Sequence, residues 1–187
     1  MATARVHMQS LSPYSQSRQH DEPKLEKEGA DDYEKRTWRH KSHVDATGRV
    51  FIPGMALKSC IAEAAKFLSV GVPGKGKATY TKNFLCGVMV FENLTLPVTF
   101  DTVDSITLHQ NADGVRGSGK RVKRTFPIVA EWKGVVEYHV IDATITESVF
   151  RQHIECAGMF IGLGRFRPRQ AGGTNGRFRV TKIEWTK

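Results

Sequence analysis

The sequence predicts an α+β fold, an antiparallel sheet with two helices on one face, and three observations carry that prediction. Short runs of β-branched and aromatic residues alternate with polar ones near both ends of the chain and through its middle. Two other stretches carry helical periodicity. Their order is strand, helix, strands, helix, strand, the β-α-β-β-α-β pattern of a ferredoxin-like (RRM-like) domain. With 187 residues, 40% of them hydrophobic, the chain suffices for one core, so residues 1–187 are read as a single domain with long inserted loops.

Residues 4–10 alternate and predict the first strand. The pattern is then lost over 12–47, a long insert holding seven basic and seven acidic residues between Arg18 and Lys41. A loop of this length in a compact domain usually has a function of its own. Tyr33, Arg36, Trp38, Arg39, His40 and Lys41 cluster in it, and Trp38 reads equally as a plug against the core or a base-stacking ring.

Val50–Ile52 is a short apolar run, and Pro53-Gly54 opens a helix in which Leu57, Ile61, Ala64, Ala65 and Leu68 share one face. The segment GVPGKGKATYTKN follows a helix and lacks the G-x-x-x-x-G-K-[ST] order, which excludes a nucleotide-binding P-loop. Val88–Val98 and Ser105–His109 predict strands, and so does the alternating run Ile128–Ile141. Thr144 and Thr146 precede Glu147 as caps of a second helix, with His153 a core residue and the end near Gly158. Gly176–Trp185 predicts the last strand. Right-handed crossovers are expected to set the first and last strands in the middle of the sheet.

The charge is concentrated. Residues 115–133 carry a net +5 and residues 162–187 a net +6, together more than the +9 of the whole chain. The first block, Arg116, Lys120, Arg121, Lys123 and Arg124, lies in a glycine-punctuated excursion, 111–125. In the second, GLGRFRPRQAGGTNGRF, Arg165, Arg167, Arg169 and Arg177 alternate with Phe166 and with Gly172, Gly173 and Gly176, and no acid appears before Glu184. Arginine forks grip phosphate oxygens in pairs, glycine permits close backbone approach, and phenylalanine stacks bases. Two such blocks on one sheet point to a nucleic acid.

Other classes fall away. No run reaches the roughly 18 apolar residues of a membrane span. The N-terminus lacks a signal-peptide core, so a cytoplasmic protein is expected. Cys60, Cys86 and Cys156 form no C-x-x-C pair and read as reduced structural thiols. His40-x-x-His43 is too little for zinc, so neither metal nor cofactor is expected.

The motifs carry a resemblance. VFIPGMALKSCIAEAAKFL, residues 50–68, resembles the start of the first helix in the CRISPR RAMP superfamily, the ferredoxin-like RNA-binding proteins of multi-subunit effector complexes. GLGRFRPRQAGGTNGRFRV resembles that superfamily's glycine-rich loop before the last strand. The chain is also similar to small proteins carried by tailed bacteriophages. The RAMP resemblance implies that Lys58 and the 162–177 loop grip guide-RNA phosphates. It implies that 115–124 is a thumb-like hairpin, and that the 12–47 loop, with Arg18 among its contacts, reaches a neighbouring subunit or the target strand. Gly54-Met55-Ala56 in place of serines and arginines in place of loop glycines depart from the pattern. Asp21, Asp31 and Asp32 are the aspartates available for cleavage, but none lies in a matching motif.

The expectation is therefore a non-catalytic protein that oligomerises along a single-stranded guide RNA, alone or beside other effector subunits, with no membrane partner. The alternatives are a phage-type single-strand binder or anti-CRISPR decoy, with single-stranded DNA as ligand, and an endoribonuclease using His20, His40 or His43 as acid or base.

Overall fold

A computed structural model of the chain describes residues 1–111, Gly119 and residues 121–187. Strand β1 is Ala2–Ser10, and its alternation buries Ala4, Val6 and Met8 while Arg5 and Gln9 face water. The insert holds the two-residue strand β2 (Tyr14–Ser15), helix α1 (Ala30–Thr37) and a 3-10 turn over Trp38–Lys41. Strand β3 (Arg49–Ile52) leads into α2 (Gly54–Leu68), which is followed by α3 (Thr81–Gly87), β4 (Val88–Met89) and β5 (Leu94–Thr99). Strands β6 (Asp104–Asn111) and β7 (Arg121–Val129) form a hairpin, and β8 (Lys133–Val140) returns to the main sheet. Helix α4 (Glu147–Cys156) runs into a π-helical turn (Ala157–Ile161), and the short α5 (Pro168–Ala171) lies in the loop before β9 (Phe178–Thr186).

The main sheet has the order β4-β8-β1-β9, with every neighbouring pair antiparallel. Register places Ala4 opposite Tyr138 and Val6 opposite Val136, all buried, so one sheet face is apolar. Leu57, Ile61 and Ala64 of α2 and Phe150 and Ile154 of α4 complete that core. Thr146 caps α4 as expected, its hydroxyl accepting the Val149 N–H. His153 is the core histidine the sequence predicts. It is fully buried and stacked 4.3 Å from Phe84, and burial holds its pKa below the ordinary value. The ferredoxin-like expectation is met.

Three expectations are corrected. The last strand is not central: β9 pairs with β1 alone among the described residues, and β1 and β8 hold the middle. Each helical crossover joins strands that are next-but-one neighbours, and interleaving two such units sends the last strand to an edge. The run Ile128–Ile141 is two strands, because Trp132 turns into the core between them and exchanges hydrogen bonds with Ser10, through its N–H to Oγ at 3.0 Å and its carbonyl at 2.8 Å. β7 therefore belongs to a second sheet, β2-β7-β6. Val88–Val98 also breaks, into β4 and β5, where the Gly54 N–H reaches Asn93 Oδ1 at 2.9 Å. A Cβ at Gly54 would lie 2.7 Å from the Glu92 carbonyl oxygen, so this close approach requires glycine.

Candidate nucleic-acid interface

Three segments far apart in sequence meet beside Phe126. From the hairpin come Gln110 and Asn111 of β6 and Arg124 and Phe126 of β7, with Gln110 opposite Val122 and Leu108 opposite Arg124. From the insert comes Lys41, and from the glycine-rich loop comes Arg165. Together with Ser17 they line a cavity of about 240 Å³. That is below the roughly 300–1,000 Å³ of a small-molecule pocket.

The convergence is built by specific bonds. The Arg165 N–H donates to the Ser15 carbonyl at 2.7 Å, and β2 in turn pairs with β7, so the loop is strapped to the hairpin through the insert. The Arg165 guanidinium lies 4.2 Å from the Phe126 ring centre and 4.9 Å from that of Phe166, and it donates to Gln110 Oε1 at 3.1 Å. Its Nε is buried with no partner among the described residues, and burial pulls its pKa below the ordinary guanidinium value. The Lys41 ammonium sits 4.8 Å from the Phe126 ring centre and donates to the Thr125 carbonyl at 2.8 Å.

One carboxylate holds two of the cavity's cations, Lys41 and Arg124. Glu34 is buried, accepts from the Lys41 ammonium, and takes the Thr125 N–H at 2.6 Å and Arg124 at 3.4 Å. Burial alone would raise its pKa, but the Lys41 ammonium, the Thr125 N–H and Arg124 outweigh it and hold it below 4.5. Burial lowers the pKa of Lys41 against the pull of Glu34, and Arg124 and Arg165 add repulsion. One carboxylate among Lys41, Arg124 and Arg165 leaves the cavity cationic, and Arg165 has no acidic partner among the described residues.

Other expected contacts lie elsewhere. Arg121 and Lys123 point to the opposite face of β7 from Arg124, with Lys123 across from His109. Arg116 and Lys120 lie outside the described residues, as does most of the tip of the excursion. Lys58 donates to the Leu85 carbonyl at 2.7 Å, which ties α2 to α3. Arg167 and Arg169 were expected to be unopposed, but both reach Glu63 of α2, at 3.0 and 3.7 Å. The Arg177 guanidinium is used on the Met159 carbonyl, and its N–H on Ser12 Oγ at 2.9 Å.

Close packing requires two of the three loop glycines, Gly173 and Gly176. Gly176 has φ +74° and donates to the Pro13 carbonyl at 2.7 Å, and a Cβ there would overlap the Leu163 backbone. A Cβ at Gly173 would overlap the Phe166 carbonyl, whereas Gly172, at φ +63°, faces open space. In the insert, Arg36 forks onto Glu28 at 2.8 and 3.0 Å, and this bond brings the Glu28 carboxyl down to about 2. Lys35 pairs with Asp32. Trp38 packs against the core with the Arg39 guanidinium 4.4 Å over its ring, which favours the plug over base stacking. The Arg18 N–H holds the Lys41 carbonyl at 2.8 Å. His40 meets Glu22 at 3.6 Å and stands 5.8 Å from the His20 ring, while His43 packs on Phe51. No cluster of three or more metal-ligating side chains exists among the described residues, and no helix there is long and apolar enough to cross a membrane.

Sequence reasoning missed Glu34, Gln110 and Phe126. Phe126 follows the basic run KRT as Phe166 follows Arg165, and that parallel was the available signal.

No protein family matches the chain by sequence, nor does any curated protein. By structure it is similar to a chain of the type III-B Cmr-beta complex bound to cognate target RNA, with a TM-score of 0.53 and 13% identity over 100% of this chain and 61% of that one. It thus spans less than two thirds of that neighbour's length. Cmr6 from Pyrococcus furiosus aligns with a TM-score of 0.47 and 14% identity, over 97% of this chain and 98% of Cmr6. The chain accordingly shares its fold with that Cmr-beta chain.

Proposed function

We propose that the chain is a non-catalytic subunit that binds single-stranded RNA in a CRISPR-type effector complex and lines up with further copies along the strand. The observation that carries the reading is the convergence of Lys41, Arg124 and Arg165 on one cavity around Phe126. Cations supplied by three separate segments, with one carboxylate holding Lys41 and Arg124 and none to neutralise Arg165, make a phosphate grip. The RAMP-type fold, and a structural neighbour described as bound to cognate target RNA, support RNA as the ligand. The expected setting is the cytoplasm, with no membrane partner and no cofactor.

The test is a binding titration of single-stranded RNA, single-stranded DNA and duplex RNA at several salt concentrations. The reading expects single-stranded RNA to bind tightest, to remain uncut, and to recruit more copies as it lengthens. Equal affinity for single-stranded DNA would favour the phage-type binder.

One observation favours a second reading, an endoribonuclease. His20 and His40 stand beside each other, and burial, then His40 and Lys41, lower the pKa of His20, which favours a neutral imidazole within electrostatic reach of Lys41. Cleavage of bound RNA that is lost in His20→Ala and His40→Ala would establish it.

A further inference from the structure

The glycine-rich loop has a second side. Arg165 turns toward the hairpin, whereas Arg167 and Arg169 turn toward α2 and share Glu63. Beyond Glu63 the Arg169 guanidinium lies 5.6 Å from the ring centre of Phe67, and Phe67 stacks on Phe160 with centroids 5.9 Å apart and planes 23° apart. These rings are not core. Phe67 is 46% exposed and Phe160 55%.

Phe160 reaches the surface because the helix widens there. The Gly162 N–H bonds the Ala157 carbonyl at 2.9 Å, five residues back, so the turn Ala157–Ile161 holds one residue more than an α-turn. Ala157 and Ile161 stay buried while Met159 and Phe160 face out. Arg177 fixes the turn by donating to the Met159 carbonyl. Such single π-turns are frequent at functional sites, and a stacked aromatic pair held in water costs hydrophobic free energy that its exposure leaves unrecovered.

The charge around the pair selects the occupant. Arg167 and Arg169 have one carboxylate between them, Arg177 is bonded to a neutral carbonyl, and Lys66 is exposed next to Phe67 in α2. A flat, π-faced and anionic ligand fits that frame, which is the chemistry of a nucleotide within a single strand. Arg165 and Arg169 are four residues apart, so at most about 14 Å of chain separates the two sides of the loop.

We propose that Phe67 and Phe160 are a base-stacking platform, and that a strand gripped by its phosphate at the Arg165 cavity crosses the glycine-rich loop and lays a base on this pair. This rests on the RNA-binding reading above.

The test is a double-mutant comparison on short oligoadenylate RNA, with and without abasic nucleotides, against wild type, Phe160→Ala and Phe160→Tyr. The expected result is an affinity loss of about tenfold for Phe160→Ala, in keeping with the removal of a single base stack. The ring-retaining Phe160→Tyr should bind like wild type, the salt dependence should be unchanged, and the loss should vanish on the abasic strand. Wild-type binding with no loss in Phe160→Ala would overturn the platform and leave the RNA-binding reading standing. An equal loss on the abasic strand would also overturn it, because the ring would then be acting on the loop and not on a base. Failure of the wild type to bind either strand would remove both. Loss of self-association with unchanged RNA affinity would assign the pair to a protein contact and overturn the platform.

Discussion

Glu34 in the insert accepts the backbone N–H of Thr125 in β7 at 2.6 Å while holding the Lys41 ammonium. This single carboxylate joins the insert to the hairpin and leaves a cavity whose remaining charges are positive. The insert's balanced charge has its physical use here. Lys35 pairs with Asp32, Arg36 with Glu28, and Glu34 with both Lys41 and Arg124, and with seven acids against seven bases from Arg18 to Lys41 the insert positions cations without adding bulk attraction of its own.

Glu34→Gln should therefore cost stability, about 3 kcal/mol, because Lys41 stays buried without its carboxylate. The pH dependence has a definite sign. Glu34 is depressed in the folded chain, so its contribution is complete above pH 4.5 and is lost as pH falls through the depressed value. Urea unfolding of both proteins over this range should show their difference shrinking below pH 4.5; a difference that does not change with pH would remove Glu34 from this role.

Arg165 and Arg167 should not be equivalent. Arg167 is matched by Glu63 at 3.0 Å, whereas Arg165 has no acidic partner among the described residues. Arg165→Ala should weaken RNA binding more than Arg167→Ala, and Glu63→Gln should strengthen it. Competition binding with one labelled RNA ranks the three, and equal effects of the two arginines would contradict the assignment.

The loop glycines separate by geometry. Gly172→Ala meets open space and only the left-handed backbone penalty, about 1 kcal/mol. Gly176→Ala meets the same penalty and also the Leu163 backbone, so melting temperature and RNA affinity should fall together. Thermal melts beside binding titrations check this. A loss of binding in Gly176→Ala with an unchanged melt would mean that RNA, not the Leu163 carbonyl, occupies the space.

Local pattern made much of this fold legible. The α2 face Leu57, Ile61, Ala64 and the Thr146 cap of α4 depend on neighbours in sequence, and both lie where the periodicity puts them. The edge position of β9 depends on how two crossovers interleave, which no local pattern states. Helix α3 hides because Phe84 is its one buried large side chain, and a single apolar residue has no period. The site divides in the same way. Arg124 and Arg165 stand out as basic residues among glycines and aromatics, while the neutralisation of Arg167 comes from Glu63, a tertiary partner that charge counting along the loop misses.

In the proposed function, Lys41, Arg124 and Arg165 form one phosphate grip. The most direct measurement is the salt dependence of single-stranded RNA binding for wild type and for Arg124→Ala/Arg165→Ala. Binding should weaken in the variant, with a log–log slope flatter by about 0.7 for each phosphate it no longer neutralises. Wild-type affinity and slope retained in the double variant would contradict it.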